Sequence, residues 1–253
     1  MAQHRITTIL STCVVDDEVK PAEILCADRL ESDQYQSIEE LTSSIEEADD
    51  RIVVHCAWQV EKGGTRLLVI TNDSDTVMRR LCFFHPMEQM GLKELWVEFG
   101  VAERRRHLPV HHLAHTLGER LCRIVMKAYV LTGDDALSKV GTKYAATVCE
   151  PVRYLGDFAE SDEFSADVMT KTEEYLVRVW AGAKSSPDAL TFDELRFKMY
   201  TRSASAKPLS SLPATSSVMH GHISRAFCVV GNILQLLEIK NPPVWIPMTL
   251  AGV

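Results

Sequence analysis

The stretch Leu67-Leu68-Val69-Ile70-Thr71-Asn72-Asp73-Ser74-Asp75 decides how this chain is read. LLVIT is a short apolar, β-branched run that reads as a buried strand. Carboxylates follow it at once, and the ends of strands in open α/β sheets are where such folds bind ligands. If the extended backbone continued through Asp73 and Asp75, both would lie on one face about 6.6 Å apart. The other reading of Asn-Asp-Ser-Asp is a turn whose last member caps the next helix.

Two further acidic clusters flank this stretch: Glu46-Glu47-Ala48-Asp49-Asp50 upstream and Gly133-Asp134-Asp135 downstream. Ser44-x-x-Glu47 is a capping-box pattern, so a helix is expected from Ser43 or Ser44 to about Lys62. At about 100° per residue, Ile45, Ala48, Ile52, Val53, Cys56 and Val60 form its apolar stripe, and Asp49 falls inside that stripe. A carboxylate on an inward face is unfavourable unless paired or metal-bound. Glu46, Glu47 and Asp50 lie off the stripe, where charge at a helix N-terminus explains them as well. Gly133-Asp134-Asp135 reads, in isolation, as a solvated turn. Carboxylates gathered on one rim repel by ~4 kcal/mol per close pair at an effective dielectric near 20. A hard divalent cation with oxygen ligands is the simplest compensation.

The remaining elements follow from pattern. Residues 5–26 hold two β-leaning stretches around the acidic turn Asp16-Asp17, and 27–43 read as loop. Gly63-Gly64 ends the first helix. Asp75 to Phe84 reads as a short helix and Glu94 to Phe99 as an alternating strand. Pro109–Thr116 and Glu119–Val130 read as helices parted by Gly118. A helix is expected from Gly141 to Cys149. Further helices are expected at Ala166–Ala181, Thr191–Thr201 and Thr215–Glu238, with a Ser/Pro/Ala-rich loop before the last and a proline-extended tail holding Trp245. The expected organisation is residues 1–150 as one α/β domain and 151–253 as a helical extension.

Bulk composition sets limits. With 253 residues, 46% hydrophobic and 25% charged, the chain has ordinary globular content and can bury a full core. A net charge of −8 lends no general support to nucleic-acid binding, although a metal-dependent nuclease concentrates acidic residues in its own site. Seven dispersed cysteines without a C-x-x-C pair point to reduced thiols. No signal-peptide core or membrane-length apolar window is present, so an intracellular protein, nuclear or cytoplasmic, without membrane partners is expected.

The ordered clusters resemble the catalytic half of the flap-endonuclease and PIN-domain nuclease superfamily. There an E-A-E/D element on a helix precedes a strand ending in x-D-x-D, and later come L-x-G-x-D and a Gly-and-Lys turn. The matching residues are Glu47-Ala48-Asp49, Asp73-Ser74-Asp75, Leu131-Thr132-Gly133-Asp134-Asp135 and Val140-Gly141-Thr142-Lys143. The chain is also similar to poorly characterised animal proteins associated with mobile elements. These carry E-A-D-x-R, D-x-D-V-like, L-T-G-C-D and P-P-T-S elements, and Glu47–Arg51, Asp73–Val77 and Pro213-Ala214-Thr215-Ser216 fit that pattern with small changes.

The resemblance implies a PIN-like, Rossmann-like sheet with a helical C-terminal region. It implies Glu47, Asp49, Asp73, Asp75 and Asp135 as Mg²⁺ or Mn²⁺ ligands, the four aspartates being catalytic. Two ions about 3.5–4 Å apart would serve phosphodiester hydrolysis. Gly141 and Lys143 would hold a backbone phosphate of DNA or RNA. The chain departs from the family in three ways. No first-strand Asp is found upstream of Ile45, so the chain is expected to be the C-terminal part of a longer protein, missing the first strand. Lys139 stands where the turn's first glycine would be, and Asp134 where a small residue or cysteine is usual. A catalytically inert, nuclease-derived binding or interaction module is therefore the alternative.

Elsewhere, His107, His111, His112 and His115 suggest a histidine-rich amphipathic helix rather than zinc ligands. His220 and His222 carry no metal motif. Arg104-Arg105-Arg106 is the compact basic run, read as a solvated loop or a phosphate contact.

Overall fold

A computed structural model describes residues 7–15, 18–28, 36–37, 41, 45, 47–134, 137–142, 146, 149–160, 163–182, 190–201 and 212–237. The described chain is mixed α/β, with eight helices and two three-stranded sheets. It divides into two compact units. One comprises Met1–Leu67, Pro86–Glu94 and Gln235–Val253, and the other Leu68–His85 and Leu95–Leu234. No described helix is long and apolar enough to cross a membrane.

In the first unit, β1 (Thr7–Val15) and β2 (Glu18–Asp28) form the antiparallel hairpin expected on either side of Asp16-Asp17, with a register shift between Thr12 and Val14. A two-residue strand, β3 (Gln36–Ser37), pairs with β2 inside the stretch expected to be loop. Helix α1 spans Ala48–Glu61, so it begins later than the Ser44 capping box suggested. Glu47 occupies the N-cap position in an extended conformation, without a side-chain cap bond. The turn before α1 is instead tied by Arg51, buried, whose guanidinium donates to the Ile45 carbonyl at 2.7 Å. Val53, Cys56 and Val60 of the expected stripe are buried, whereas Ala48 is exposed and Arg51, His55 and Ala57 join the buried face. At the helix end, the Gly64 amide donates to the Gln59 carbonyl at 2.8 Å. A Cβ on Gly64 would stand 2.7 Å from that same oxygen, which is why the second glycine of the pair is needed.

Strand β4 (Arg66–Thr71) leads into α2 (Ser74–Gln89) and then β5 (Glu94–Phe99), and the chain passes between the two units within these three elements. The sheet order is β4-β5-β6. The expectation that LLVIT is a buried strand is corrected. Val69 is buried, but Leu68 and Ile70 are 53% and 70% exposed. An edge strand with one covered face accounts for this, because alternate side chains point to opposite faces. Helix α2 also runs beyond Phe84, through Pro86.

The second unit holds β6 (Arg106–Pro109), which was not foreseen. It pairs antiparallel with β5, from Phe99 opposite Arg106 to Trp96 opposite Pro109. Helices α3 (Val110–Leu117) and α4 (Glu119–Leu131) meet at Gly118, as expected. Then come α5 (Pro151–Leu155), α6 (Ala166–Ala181), α7 (Phe192–Thr201) and α8 (Ser216–Leu234). The last helix ends earlier than Glu238, and of the helix expected at 141–149 only Ala146 is described as helical. The tail with Trp245 lies outside the described residues.

Helix α4 packs on α3, α5 and α8, and α6 packs on α5, α7 and α8. The helical core contains Ile124, Ala128, Leu131, Tyr175, Leu176, Val179, Ile223 and Val230, with Phe227 edge-to-face against Phe158 and tilted against Phe164. Lys127 is fully buried in this core. Its ammonium donates to the Leu155 and Gly156 carbonyls at 3.3 Å each and to Glu160. Burial lowers its pKa, against the pull of Glu160. The carbonyls at the end of α5 are natural partners for a cation.

Candidate metal centre

The Asp73–Asp75 segment turns immediately after β4. The Thr71 hydroxyl accepts the Asp73 amide at 3.0 Å, and Asp73 Oδ1 accepts the Asp75 amide at 2.9 Å. Asp73 is thus the side chain that caps α2, the role that the turn reading had given to Asp75. The extended alternative fails because the backbone becomes helical at Ser74. The two carboxylates consequently lie at a helix N-terminus, where the macrodipole favours negative charge.

Asp75 is only 5% exposed, and it is held from two sides. The Tyr129 hydroxyl, on α4, donates to Asp75 Oδ1 at 2.6 Å. Ser74 Oγ lies 2.5 Å from the same phenol oxygen. The Arg79 guanidinium, one turn along α2, stands 3.9 Å from Oδ2. Burial, reinforced by the Asp75 carboxylate, pushes the Tyr129 phenol up to about 12. Part of the repulsion that the sequence assigned to a cation is therefore offset by the helix N-terminus, a phenol and a guanidinium.

Asp49 belongs to the first unit. It sits in the first turn of α1, half-buried, on the face that also carries Val53, Cys56 and Val60. Glu47 is exposed at the N-cap, and its carbonyl accepts the Arg51 amide at 3.1 Å. Asp50 is half-buried in the same first turn, and Glu46 lies outside the described residues.

The third cluster forms a tight return at the end of α4. Buried Thr132 donates its hydroxyl to the Ala128 carbonyl at 2.9 Å, and the Val140 amide comes back to the Thr132 carbonyl at 3.1 Å. Gly133 adopts a φ of +98°, and a Cβ there would meet Lys139 Cα at 2.7 Å. Asp134 is described, whereas Asp135 and Lys143 lie outside the described residues. Gly141 is positioned by packing: its φ is +66°, and a Cβ would stand 2.6 Å from Val179 Cγ1 on α6. That contact supplies a structural reason for the glycine, at a position where the resemblance implies a phosphate contact.

The histidines take separate roles. His107 is on β6 and pairs with Glu98 at 3.2 Å, while Arg105 reaches the same carboxylate at 3.0 Å. His111 is buried, with Nδ1 3.0 Å from the Leu95 carbonyl. His222 is buried with Nε2 2.9 Å from the Leu131 carbonyl.

Sequence reasoning missed a polar node centred on Glu173. Oε1 accepts the Ser216 hydroxyl at 2.6 Å and the Phe192 amide at 3.0 Å, and Oε2 lies 2.8 Å from His220 Nε2. Asp193 and Ser216 exchange amide-to-side-chain bonds of 3.1 Å each. Ser216 ends the Pro213–Ser216 motif, which was the available signal. Its partners lie far away in sequence.

Compared with known proteins, the chain matches no family model, no curated protein and no solved structure.

Proposed function

We propose that this chain is a divalent-metal-dependent, nuclease-like protein acting on nucleic-acid phosphodiesters, with a PIN-like arrangement of its sheet. The observation that carries the reading is the Asp73–Asp75 pair at the end of β4, with the Asp75 carboxylate buried and oriented by Tyr129. Strand ends of this kind are where α/β sheets place ligands. An oxygen donor set suits Mg²⁺ or Mn²⁺. In this reading Asp73 and Asp75 are metal ligands, and Asp49 is a further ligand that the resemblance implies. Asp135 completes the set, Glu47 assists, and Gly141 and Lys143 contact a phosphate. When bound, the ion or ion pair polarises a phosphoryl oxygen and acidifies an attacking water. The protein's own part is to orient the Asp73 and Asp75 carboxylates at the helix N-terminus.

A second reading is favoured by a specific observation: Asp75 already has a phenol donor and a nearby guanidinium. A nuclease-derived module that no longer needs an ion would look like this. Thermal unfolding in EDTA, Mg²⁺ and Mn²⁺, run beside Asp75→Asn, separates the two. Stabilisation by metal that disappears in the variant, together with cleavage of branched or single-stranded DNA or RNA, supports the nuclease. Curves that ignore metal support the inert module.

A further inference from the structure

We propose that Tyr129 is a positioning residue for the Asp75 carboxylate, its hydroxyl engaging Oδ1 so that Oδ2 is left as the oxygen that meets a cation. This rests on the acidic-site reading above and adds a residue that none of the acidic motifs contains.

A carboxylate with two equivalent oxygens can present either one, and rotation about its terminal torsion is broad. Tyr129 removes that equivalence. Its hydroxyl lies 2.6 Å from Oδ1, whereas the nearest cationic atom to Oδ2, Arg79 Nη1, is 3.9 Å away, beyond hydrogen-bond length. Because the phenol proton goes to Asp75, the phenol oxygen is left to accept from Ser74 Oγ at 2.5 Å. The bridge therefore holds the ring from the same helix turn that carries Asp75.

The backbone under Tyr129 is held as well. Its carbonyl shares the Thr132 hydroxyl proton, at 3.0 Å, with the Ala128 carbonyl at 2.9 Å, and Thr132 is buried at the start of the Gly133-Asp134 return. The Leu131–Gly133 turn thus supports the tyrosine that holds Asp75, 54 residues away in the chain. Partners that donate to a ligating carboxylate fix its geometry, and losing one lowers metal affinity about 10–100-fold.

The test uses the full chain. Mn²⁺ affinity is read from the free-ion electron paramagnetic resonance signal for the wild type, Tyr129→Phe and Asp75→Asn, with melting curves in EDTA. In parallel, 3-fluorotyrosine is placed at position 129 and its ¹⁹F resonance followed during Mg²⁺ titration, with and without Asp75→Asn. The expected result is Mn²⁺ binding weakened about 10–100-fold in Tyr129→Phe and abolished in Asp75→Asn. The ¹⁹F resonance should shift with Mg²⁺ only when Asp75 is present, a response that a purely structural tyrosine would not give. Tyr129→Phe binding Mn²⁺ as tightly as the wild type, or a resonance indifferent to Mg²⁺, overturns the positioning role while leaving the acidic site standing. If Tyr129→Phe fails to fold, the ¹⁹F arm decides. Failure of the wild type to bind Mn²⁺ overturns the acidic site itself, and the positioning role with it.

Discussion

The Ser216 hydroxyl, at the start of α8, donates at 2.6 Å to Glu173 Oε1 on α6, across 43 residues of sequence. The same oxygen accepts the Phe192 amide at the start of α7. One buried carboxylate therefore ties two helix N-termini, where negative charge is favoured and orphan amides need acceptors. Glu173→Ala leaves these donors without an acceptor. We expect it to lower unfolding free energy by about 3 kcal/mol in urea denaturation, and Ser216→Ala by about 1 kcal/mol.

The pH dependence of stability should carry two signatures. Burial lowers the His222 pKa, outweighing the bond to the Leu131 carbonyl, so the folded state binds its proton later than the unfolded chain. Its contribution is present above the unfolded value of about 6.5 and is lost as pH falls toward the lowered folded value. Glu173 behaves in the same direction at lower pH. Burial raises its pKa, but the bonds from Ser216, His220 and Phe192 together hold it below the usual range. Its contribution is lost as pH falls below about 4.5. Chemical denaturation between about pH 2 and pH 8 should show His222→Gln flattening the upper limb and Glu173→Gln the lower.

Gly141 offers a way to separate packing from phosphate contact. A Cβ would collide with Val179 Cγ1, and the left-handed backbone adds strain. Gly141→Ala should destabilise by about 1–3 kcal/mol in the absence of any nucleic acid. Val179→Ala in the same chain should recover part of that loss, because it removes the atom in the way. If Gly141→Ala melts like the wild type, the packing account is wrong.

Asp73 must be probed with care, since its side chain caps α2. Asp73→Ala should cost about 1 kcal/mol even in EDTA, whereas Asp73→Asn keeps the cap and removes the charge. A single cation at one hundred times its dissociation constant would stabilise the wild type by about 2.7 kcal/mol. Asp73→Asn and Asp75→Asn should both lose that increment, which a thermal melt with and without Mn²⁺ reads directly.

The exposed face of β4 gives a plainer expectation. Leu68→Lys and Ile70→Lys should each change stability by no more than about 0.5 kcal/mol. Val69→Ala, on the covered face, should lower it by about 1–2 kcal/mol in the same assay.

Short-range pattern was enough for much of this architecture. Alternation placed β5 at Glu94–Phe99, Gly118 parted α3 from α4, and helical period delimited α6 at Ala166–Ala181. These depend on dihedral preferences and on which side chains share a face, both of which are written in neighbouring residues. The acidic clusters were legible for the same reason, as charges at element ends. Tertiary structure decided what neighbours cannot encode. It left one face of an apolar run, Leu68 and Ile70, in solvent, and turned Arg106–Pro109 into a strand against β5. It made Asp73 a helix cap, brought Tyr129 onto Asp75, and gave Glu173 its three partners. Periodicity specifies that a face is apolar or that a carboxylate sits at a helix end. Which group covers that face or donates to that carboxylate depends on chain segments dozens of residues away, and only packing chooses among them.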